Sequence, residues 1–214
     1  MTVSVHLVRH GEVFNPDKVL YGRLPGFGLS SLGLQMAQEL ADGWQETPTM
    51  LVTSPLQRAQ ETITPLAKKF QLPVRTDKRV LEAGNSFEGL SNMRRQLRNP
   101  KYWPRVLNPW RPSWGEPYVH QAARMAAAIQ DLRDDLMRNY GSGASAVVVS
   151  HQLPIWVTRL SAEDKPLAHD PRRRQCSLAS VTSFEFAPGH RKPTVHYSEP
   201  VKHLSNQAAA LPGA

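Results

Sequence analysis

Residues 5–12 of this chain read VHLVRHGE, and residues 146–151 read AVVVSH. Each stretch places a histidine, His10 or His151, after a run of aliphatic and β-branched residues. Such runs are typical of buried strands in parallel sheets, and ligands of open α/β sheets bind at the carboxyl ends of the strands. The two stretches therefore predict an α/β fold in which both imidazoles open onto one crevice.

Two arginines accompany the histidines. Arg9 directly precedes His10, and Arg58 lies near the start of a predicted helix, in the sequence SPLQRA at residues 54–59. Guanidinium groups bind phosphate oxygens bidentately, and the free N–H groups of a helix start also favour anions. We therefore expect an anion site suited to phosphoryl transfer through a histidine nucleophile, with Asn15 as a further donor from the following loop.

Working outward from these stretches, strand and helix patterns alternate along the chain. This alternation predicts a three-layer α/β sandwich with a central, mostly parallel sheet flanked by helices. The predicted strands are 3–9, 50–53, 73–76, a strand that ends at His151, 178–187 and 193–198, with 79–82 also extended. The predicted helices run from Ser30 or Ser31 to about Trp44, from a Ser54 cap with Pro55 as first helical residue, over 118–139 and over 153–161.

The chain length of 214 residues suits one domain. We expect a single catalytic domain over residues 1–204. Residues 91–117 are rich in proline, arginine and tryptophan and predict a lid or specificity insertion within it. Residues 205–214 are rich in alanine and predict a flexible tail.

The composition is typical of a soluble globular protein, with 40% hydrophobic and 21% charged residues. No apolar segment has the length of a membrane span, so no membrane partner is expected. The amino terminus lacks a signal-like segment, and the only cysteine is Cys176, so we expect a cytoplasmic protein without a disulfide.

The formal net charge of +8 favours anionic partners. Its densest basic stretches, at residues 94–98 and 172–174, do not interleave aromatic residues as a stacking platform for nucleic acid does. A small phosphorylated substrate is therefore favoured over dedicated nucleic-acid binding. The sequence leaves the oligomeric state open.

Motifs over nearly the whole chain resemble the histidine phosphatase superfamily, whose branches include cofactor-dependent phosphoglycerate mutases and many phosphomonoester phosphatases. In order, the motifs are LVRHGE at 7–12, Asn15, LSSLG at 29–33, SPLQRAQET at 54–62, Leu81-Glu82, FEG at 87–89 and Ser150-His151. A lone Arg-His-Gly triplet is a weak signal, but the whole set in this order is a specific one.

The resemblance implies a single α/β sandwich and roles for six residues. These are His10 as the nucleophile that becomes phosphohistidine, Arg9, Arg58 and His151 as phosphate ligands, Asn15 as a further binding residue, and Glu82 as the proton donor. It also implies that no metal cofactor is required. The sequence agrees, because no group of histidines and carboxylates has convincing metal-ligand spacing.

Three departures from the family pattern bear on function. Gln152 stands where a glycine usually follows the second catalytic histidine, so we expect a polar side chain to intrude on the pocket. The segment from Glu82 to Gly89 is one residue shorter than in many relatives, which leaves Glu88 as the alternative proton donor. Residues 83–87 read AGNSF instead of the Tyr-Gly-Gly-like segment usual in the mutase branch.

These features predict a phosphomonoester phosphatase that acts on a small phosphorylated metabolite through a phosphohistidine intermediate. One alternative is a cofactor-dependent phosphoglycerate mutase, which returns the phosphoryl group to another hydroxyl instead of water. The other alternative is a phosphate-binding module without catalysis.

Overall fold

The computed structural model describes residues 2–91, 96, 98–105, 115–190 and 192–208. Within these residues, six strands form one sheet in the order β3-β2-β4-β1-β5-β6. The strands are β1 (Val3–Arg9), β2 (Met50–Thr53), β3 (Val74–Thr76), β4 (Ser145–Ser150), β5 (Val181–Phe186) and β6 (Thr194–Ser198). β3, β2, β4 and β1 are mutually parallel, whereas β5 and β6 pair antiparallel. The predicted mostly parallel sheet is confirmed.

β1 and β4 are neighbours although about 140 residues separate them along the chain. Their register pairs Arg9 with Ser150, the last residue of each strand. The N–H of His10 also donates to the carbonyl of Ser150 at 3.2 Å. The two histidines that follow these strands therefore leave the same edge of the sheet side by side.

Helices cover both faces of the sheet, which confirms the three-layer arrangement. They are α1 (Ser31–Gly43), α2 (Gln57–Phe70), α3 (Tyr118–Asn139), α4 (Gln152–Ala162) and α5 (Lys202–Ser205). Successive strand side chains point to opposite faces. Val147 and Val149 of β4 accordingly pack with α1 and α2, and Val148 packs with α3 and α4. Burying each such valine contributes about 1.5–3 kcal/mol to folding.

The helix start at Ser31 follows the predicted cap. The hydroxyl of Ser30 accepts the N–H of Gly33 at 3.0 Å and so satisfies one free donor of the first turn of α1. The prediction of Ser54 as the cap of α2 is wrong, because that helix begins at Gln57 after Leu56. The hydroxyl of Ser54 lies instead 2.8 Å from Nε2 of His151.

The predicted extended segment at 79–82 is wrong at its start. The carboxylate of Asp77 accepts the N–H of Arg79, and this cap sets up a short 3-10 helix over Lys78–Val80. Further 3-10 helices cover Pro100–Arg105 and Pro171–Arg173.

Each end of the 91–117 segment pairs with another loop through an isolated bridge. Ser91 forms an isolated bridge with Val19, and Gly115 forms one with Asn85. Most of the expected lid, including Trp110 and Trp114, lies outside the described residues, as do residues 209–214 of the expected tail.

A glycine contact fixes α1 against the loop that follows β1. A Cβ added at Gly33 would lie 2.0 Å from the carbonyl oxygen of Glu12, which is backbone and has no freedom to swing away. We expect Gly33→Ala to lower the free energy of unfolding by about 1–3 kcal/mol, measured by denaturant titration.

Gly43→Ala is the matched control in the same helix, because a Cβ there meets nothing within 4 Å. We expect that variant to keep or slightly raise the stability, since alanine has the higher helix propensity. Equal stabilities of the two variants would contradict the close packing of α1 on this loop.

Candidate active site

The candidate site lies at the carboxyl edge of the parallel strands. His10 follows β1, Ser54 follows β2, and His151 follows β4 directly before α4. The ring centroids of His10 and His151 are 5.2 Å apart. The structure thus brings together the two histidines that the sequence places at separate strand ends.

The side chain of His10 is fully buried in a fixed tautomer. Its Nδ1 lies 2.7 Å from the carbonyl of Gly11, and since a carbonyl only accepts, Nδ1 carries the proton. Burial holds the pKa of His10 well below its ordinary value, and the positive charges of Arg58 and Arg9 lower this pKa further. The imidazole is therefore neutral at physiological pH, with the Nε2 lone pair exposed to the site.

His151 is also fully buried, beside the hydroxyl of Ser54. This hydroxyl lies 2.8 Å from Nε2 of His151 and accepts the N–H of Leu56 at 3.4 Å. Burial lowers the pKa of His151 well below its ordinary value, with Arg58 adding to the effect. The ring is therefore neutral, and an anion in the site favours the tautomer in which Nδ1 carries the proton and the hydroxyl of Ser54 donates to Nε2.

Two buried guanidinium groups are each anchored by one backbone carbonyl. Nη1 of Arg9 donates to the carbonyl of Cys176 at 2.5 Å. Nη2 of Arg58, in the first turn of α2, donates to the carbonyl of Gly22 at 2.7 Å, and this guanidinium lies 4.7 Å from the ring centroid of Tyr21. Each anchor holds one side of the guanidinium and leaves other N–H groups for a ligand.

Four buried atoms of this cluster have no hydrogen-bond partner within the described part of the chain. They are Nε of Arg9, Nε2 of His10, Nε of Arg58 and Nδ1 of His151. A buried polar group without a partner costs about 1–3 kcal/mol, so such groups seldom gather without a function. With Nδ1 of His151 protonated, the four atoms are three N–H donors and one lone pair, which is the set that transfer of a phosphoryl group to Nε2 of His10 requires.

Glu82 is a buried carboxyl group beside this cluster. Its Oε1 accepts the N–H of Ala83 at 2.7 Å. Burial raises the pKa of Glu82, although the N–H of Ala83 and the charges of Arg58 and Arg9 act in the opposite direction. A carboxyl group with a raised pKa holds a proton closer to neutral pH and is suited to general acid catalysis.

The sequence model of the histidine phosphatase superfamily (branch 1) matches residues 5–198. This chain belongs to the histidine phosphatase superfamily. The resemblance inferred from the motifs is confirmed.

Several histidine phosphatase relatives are similar over nearly the full chain. The uncharacterized protein Rv0525 of Mycobacterium tuberculosis is 49% identical over 200 residues, which cover 92% of this chain and 96% of that protein. Among solved structures, mycobacterial glucosyl-3-phosphoglycerate phosphatase Rv2419c matches at 24% identity with a TM-score of 0.72, covering 92% of this chain and 98% of that one. Phosphoserine phosphatase of Entamoeba histolytica, in complex with 3-phosphoglyceric acid, matches at 20% identity with a TM-score of 0.75, covering 94% and 99%. These structures share the fold of this chain.

The alternative acid, Glu88, is engaged by backbone. Its Oε1 accepts the N–H of Arg23 and the N–H of Asn85, each at 3.1 Å. Through Glu88, these bonds join the loop that contains Gly22 to the loop that contains Gly84. The placement therefore favours Glu82 over Glu88 for proton transfer.

The amide of Asn15 closes its own loop. Oδ1 accepts the N–H of Val19 at 3.0 Å, and Nδ2 donates to the carbonyl of Val19 at 2.8 Å. One N–H of Nδ2 remains after these bonds. Its use as a phosphate donor stays a prediction.

Two residues for which the sequence predicted no role in the site also contribute to it. Thr62 accepts the N–H of Gly11 at 3.1 Å and donates to the carbonyl of Arg58 at 2.7 Å, which joins the first loop to α2. Ser54 hydrogen-bonds to Nε2 of His151. Both lie in the SPLQRAQET motif, so the motif itself was the signal. No local pattern marked Tyr21 as the ring under Arg58.

A cleft of about 190 Å³ leads from Glu82 to the surface. Gln152, Tyr118 and Arg174 line it, together with Glu116. The side chain of Gln152 thus borders the pocket, as the departure from glycine suggested. Arg174 was not identified from the sequence, because it belongs to a run of three arginines that resembles a solvated surface.

The residues that the structure describes also bear on metal binding and on membrane spans. Among them, no group of three or more histidine, cysteine, aspartate or glutamate side chains is placed to hold a metal ion. Within the same residues, none of the helices combines the length and the apolar character needed to cross a bilayer.

Proposed function

We propose that this protein is a phosphomonoester phosphatase that transfers the phosphoryl group of a small phosphorylated metabolite to water through a phosphohistidine on His10. The observation that carries the proposal is the group of four unpartnered buried atoms on His10, His151, Arg9 and Arg58, in which the two rings lie 5.2 Å apart and both arginine charges act on His10. Three of them are donors that stabilise charge on the phosphoryl oxygens, and the fourth is the nucleophile.

In the first step, Nε2 of His10 attacks phosphorus while the bond from phosphorus to the leaving oxygen breaks. The carboxyl group of Glu82 gives its proton to that oxygen, so the product leaves as an alcohol. Nδ1 of His10 keeps its hydrogen bond to Gly11, which stabilises the positive charge that develops on the ring. The guanidinium groups of Arg9 and Arg58 neutralise charge on the equatorial oxygens, and Nδ1 of His151 donates a hydrogen bond to them.

In the second step, a water molecule attacks the phosphorus of phosphohistidine. The carboxylate of Glu82 takes a proton from that water, and the electron pair of the P–N bond returns to Nε2 of His10. Inorganic phosphate leaves, and Glu82 is protonated again. One buried carboxyl group thus serves as acid and then as base, as microscopic reversibility requires.

The pH dependence of phosphoenzyme formation follows from the two pKa shifts. The pKa of His10 lies well below its ordinary value of 6.5, so the nucleophile stays neutral under mildly acid conditions. The pKa of Glu82 is raised, so its acid form persists there and is lost as the pH rises through that pKa. We expect the single-turnover rate to be highest at mildly acid pH and to fall towards alkaline pH.

Glu82→Gln is the reference for this profile. Because glutamine does not titrate, the variant should show no alkaline decline of its own with the same substrate. Ionisation of the substrate affects both proteins equally, so the ratio of the two rates removes it. A wild-type rate that rises with pH relative to the variant would contradict the acid role of Glu82.

Incubation with 3-phosphoglycerate distinguishes hydrolysis from the mutase reaction. The proposal expects inorganic phosphate and glycerate, and formation of 2-phosphoglycerate in place of free phosphate would overturn it. A panel of sugar phosphates, nucleotides, acyl phosphates and phosphopeptides extends the assay to other substrates. A protein that binds vanadate but releases phosphate from no member of the panel and never becomes labelled on His10 would be a binding module without catalysis.

A further inference from the structure

The cleft beside Glu82 contains a guanidinium group that the mechanism above does not use. Arg174 donates from Nε to Nε2 of His169 at 2.9 Å and from Nη1 to Oε1 of Gln152 at 3.3 Å. Both partners are uncharged acceptors, and Arg174 forms no ion pair with any carboxylate of the described residues. Its Nη2 makes no hydrogen bond to these residues, and Arg174 is one of the residues that line the cleft.

The partners of Arg174 are themselves held in place. Nδ1 of His169 donates to the carbonyl of Leu167 at 2.7 Å, which leaves Nε2 as the acceptor for Arg174. The ring of His169 packs 5.3 Å from the ring of Tyr118, and burial lowers the pKa of His169 below its ordinary value. Arg174 is therefore positioned by a neutral, oriented imidazole, and its positive charge is retained for another partner.

Gln152 connects Arg174 to the phosphate-binding cluster. Its Nε2 donates to the carbonyl of Cys176 at 3.5 Å, and the same carbonyl accepts Nη1 of Arg9. The carbonyl of Cys176 is thus linked to both guanidinium groups. It accepts directly from Arg9 of the oxyanion cluster, and it is connected through Gln152 to Arg174 of the cleft. A glycine at position 152 would lack both hydrogen bonds.

Among the described side chains that line the cleft, no carboxylate forms an ion pair that offsets the positive charge of Arg174. Glu116 also borders the cleft, but its carboxylate accepts from Arg23 at 2.7 Å and from Arg124 at 2.8 Å. Its negative charge is thereby neutralised by two other cations. The charge of Arg174 also acts on the carboxyl group of Glu82, but in the proposed first step this group is protonated and has no charge to offset Arg174.

We propose that Arg174 binds a second anionic group of the substrate, so that the enzyme prefers small phosphomonoesters that carry a carboxylate or a second phosphate near the ester. This inference rests on the proposed phosphatase activity and adds its substrate class. The phosphoryl group lies at His10, the leaving oxygen at Glu82, and the second anion at Nη2 and the free N–H of Nη1 of Arg174. The cleft volume of about 190 Å³ is small compared with the roughly 300–1,000 Å³ of pockets for drug-sized ligands, which favours a small metabolite.

The test compares substrates that differ in the second anion alone. Phosphoserine and phosphoethanolamine differ by one carboxylate, and fructose 1,6-bisphosphate and fructose 6-phosphate differ by one phosphate. We expect the wild-type kcat/KM to be about 10–100-fold higher for the doubly anionic member of at least one pair, as is typical of charge-assisted hydrogen bonds. The pair that shows the preference identifies the second group as carboxylate or phosphate.

The variant Arg174→Met should abolish this preference, because kcat/KM should fall about 10–100-fold more for the doubly anionic member than for the singly anionic member. Arg174→Lys keeps the charge without the planar fork and should retain part of the preference. Arg173→Met, the exposed neighbour, is the matched control and should leave both values unchanged.

The outcomes separate the two proposals. Absence of His10-dependent hydrolysis with every substrate would overturn the proposed phosphatase. Hydrolysis without preference in the wild type, or a preference that persists in Arg174→Met, would overturn the role of Arg174 and leave the phosphatase standing. The comparison within the wild type decides the matter even if Arg174→Met does not fold.

Discussion

Replacing His10 by alanine is expected to lower phosphatase turnover by at least about 10³-fold and to abolish phosphoenzyme labelling. The imidazole carries the sole lone pair among the four unpartnered atoms, since the other three are N–H donors. Without it, no side chain of the cluster can form the covalent intermediate. Acid-quenched labelling with a phosphomonoester that carries radioactive phosphorus, followed by peptide mapping, measures the effect directly.

The His10→Ala protein also provides a test of the anion site without the nucleophile. Arg9, Arg58 and His151 keep their own anchors in that variant, so vanadate should still raise its melting temperature. His120→Ala, on the exposed face of α3, is the control and should keep full turnover and labelling. Turnover of His10→Ala near the wild-type rate would rule out the phosphohistidine mechanism.

The second large effect is expected for Glu82→Gln and depends on the leaving group. A proton donor contributes about 10²–10⁴-fold when the leaving oxygen is an alkoxide, and much less when it is a stabilised phenolate. We therefore expect single-turnover phosphoenzyme formation from an alkyl phosphate to fall by about that factor. With p-nitrophenyl phosphate, the same step should fall by less than about 10-fold.

Loss of the carboxylate also removes the base of the second step. Phosphoenzyme formed from p-nitrophenyl phosphate should accordingly accumulate in Glu82→Gln to a higher level than in the wild type. Rapid-quench labelling together with the burst of nitrophenolate measures both steps in one experiment.

Glu88→Gln is the matched control for the position of the acid. Both backbone bonds of Glu88 are accepted by Oε1, so the amide oxygen of glutamine preserves them. The assignment of Glu82 as proton donor would be wrong if Glu82→Gln lowered the rate of phosphoenzyme formation equally with both substrates. It would also be wrong if the loss that depends on the leaving group occurred in Glu88→Gln instead.

The strands and the long helices could be predicted from the sequence because their signals are local. β1, β2 and α3 have the predicted bounds, since a continuous aliphatic run or a periodic apolar face is legible within one segment. The start of α2 could not be predicted in this way. Ser54 has the residue type of a cap, but it hydrogen-bonds to His151, which is 97 positions away in sequence.

The same distinction applies to the site. The motifs identified His10, His151, Arg9 and Arg58 as candidates, and the fold places them together. The role of Glu82 as acid remains a prediction, and what supports it is burial, a property that no short segment encodes. The sequence does not distinguish Arg174 from its neighbours Arg172 and Arg173. The fold places Arg174 in the lining of the cleft, and that placement identifies it.

The amino-acid sequence by itself determined the family, the order of the main elements and the residues available for phosphate chemistry. These depend on side-chain type and on periodicity, which are properties of neighbouring residues. The adjacency of the strands, the tautomer of His10 and the cations that line the cleft became evident from the three-dimensional fold. Those features depend on contacts and on exclusion of water between segments far apart in the chain, and they arise when the packed sheet and helices bring such segments together.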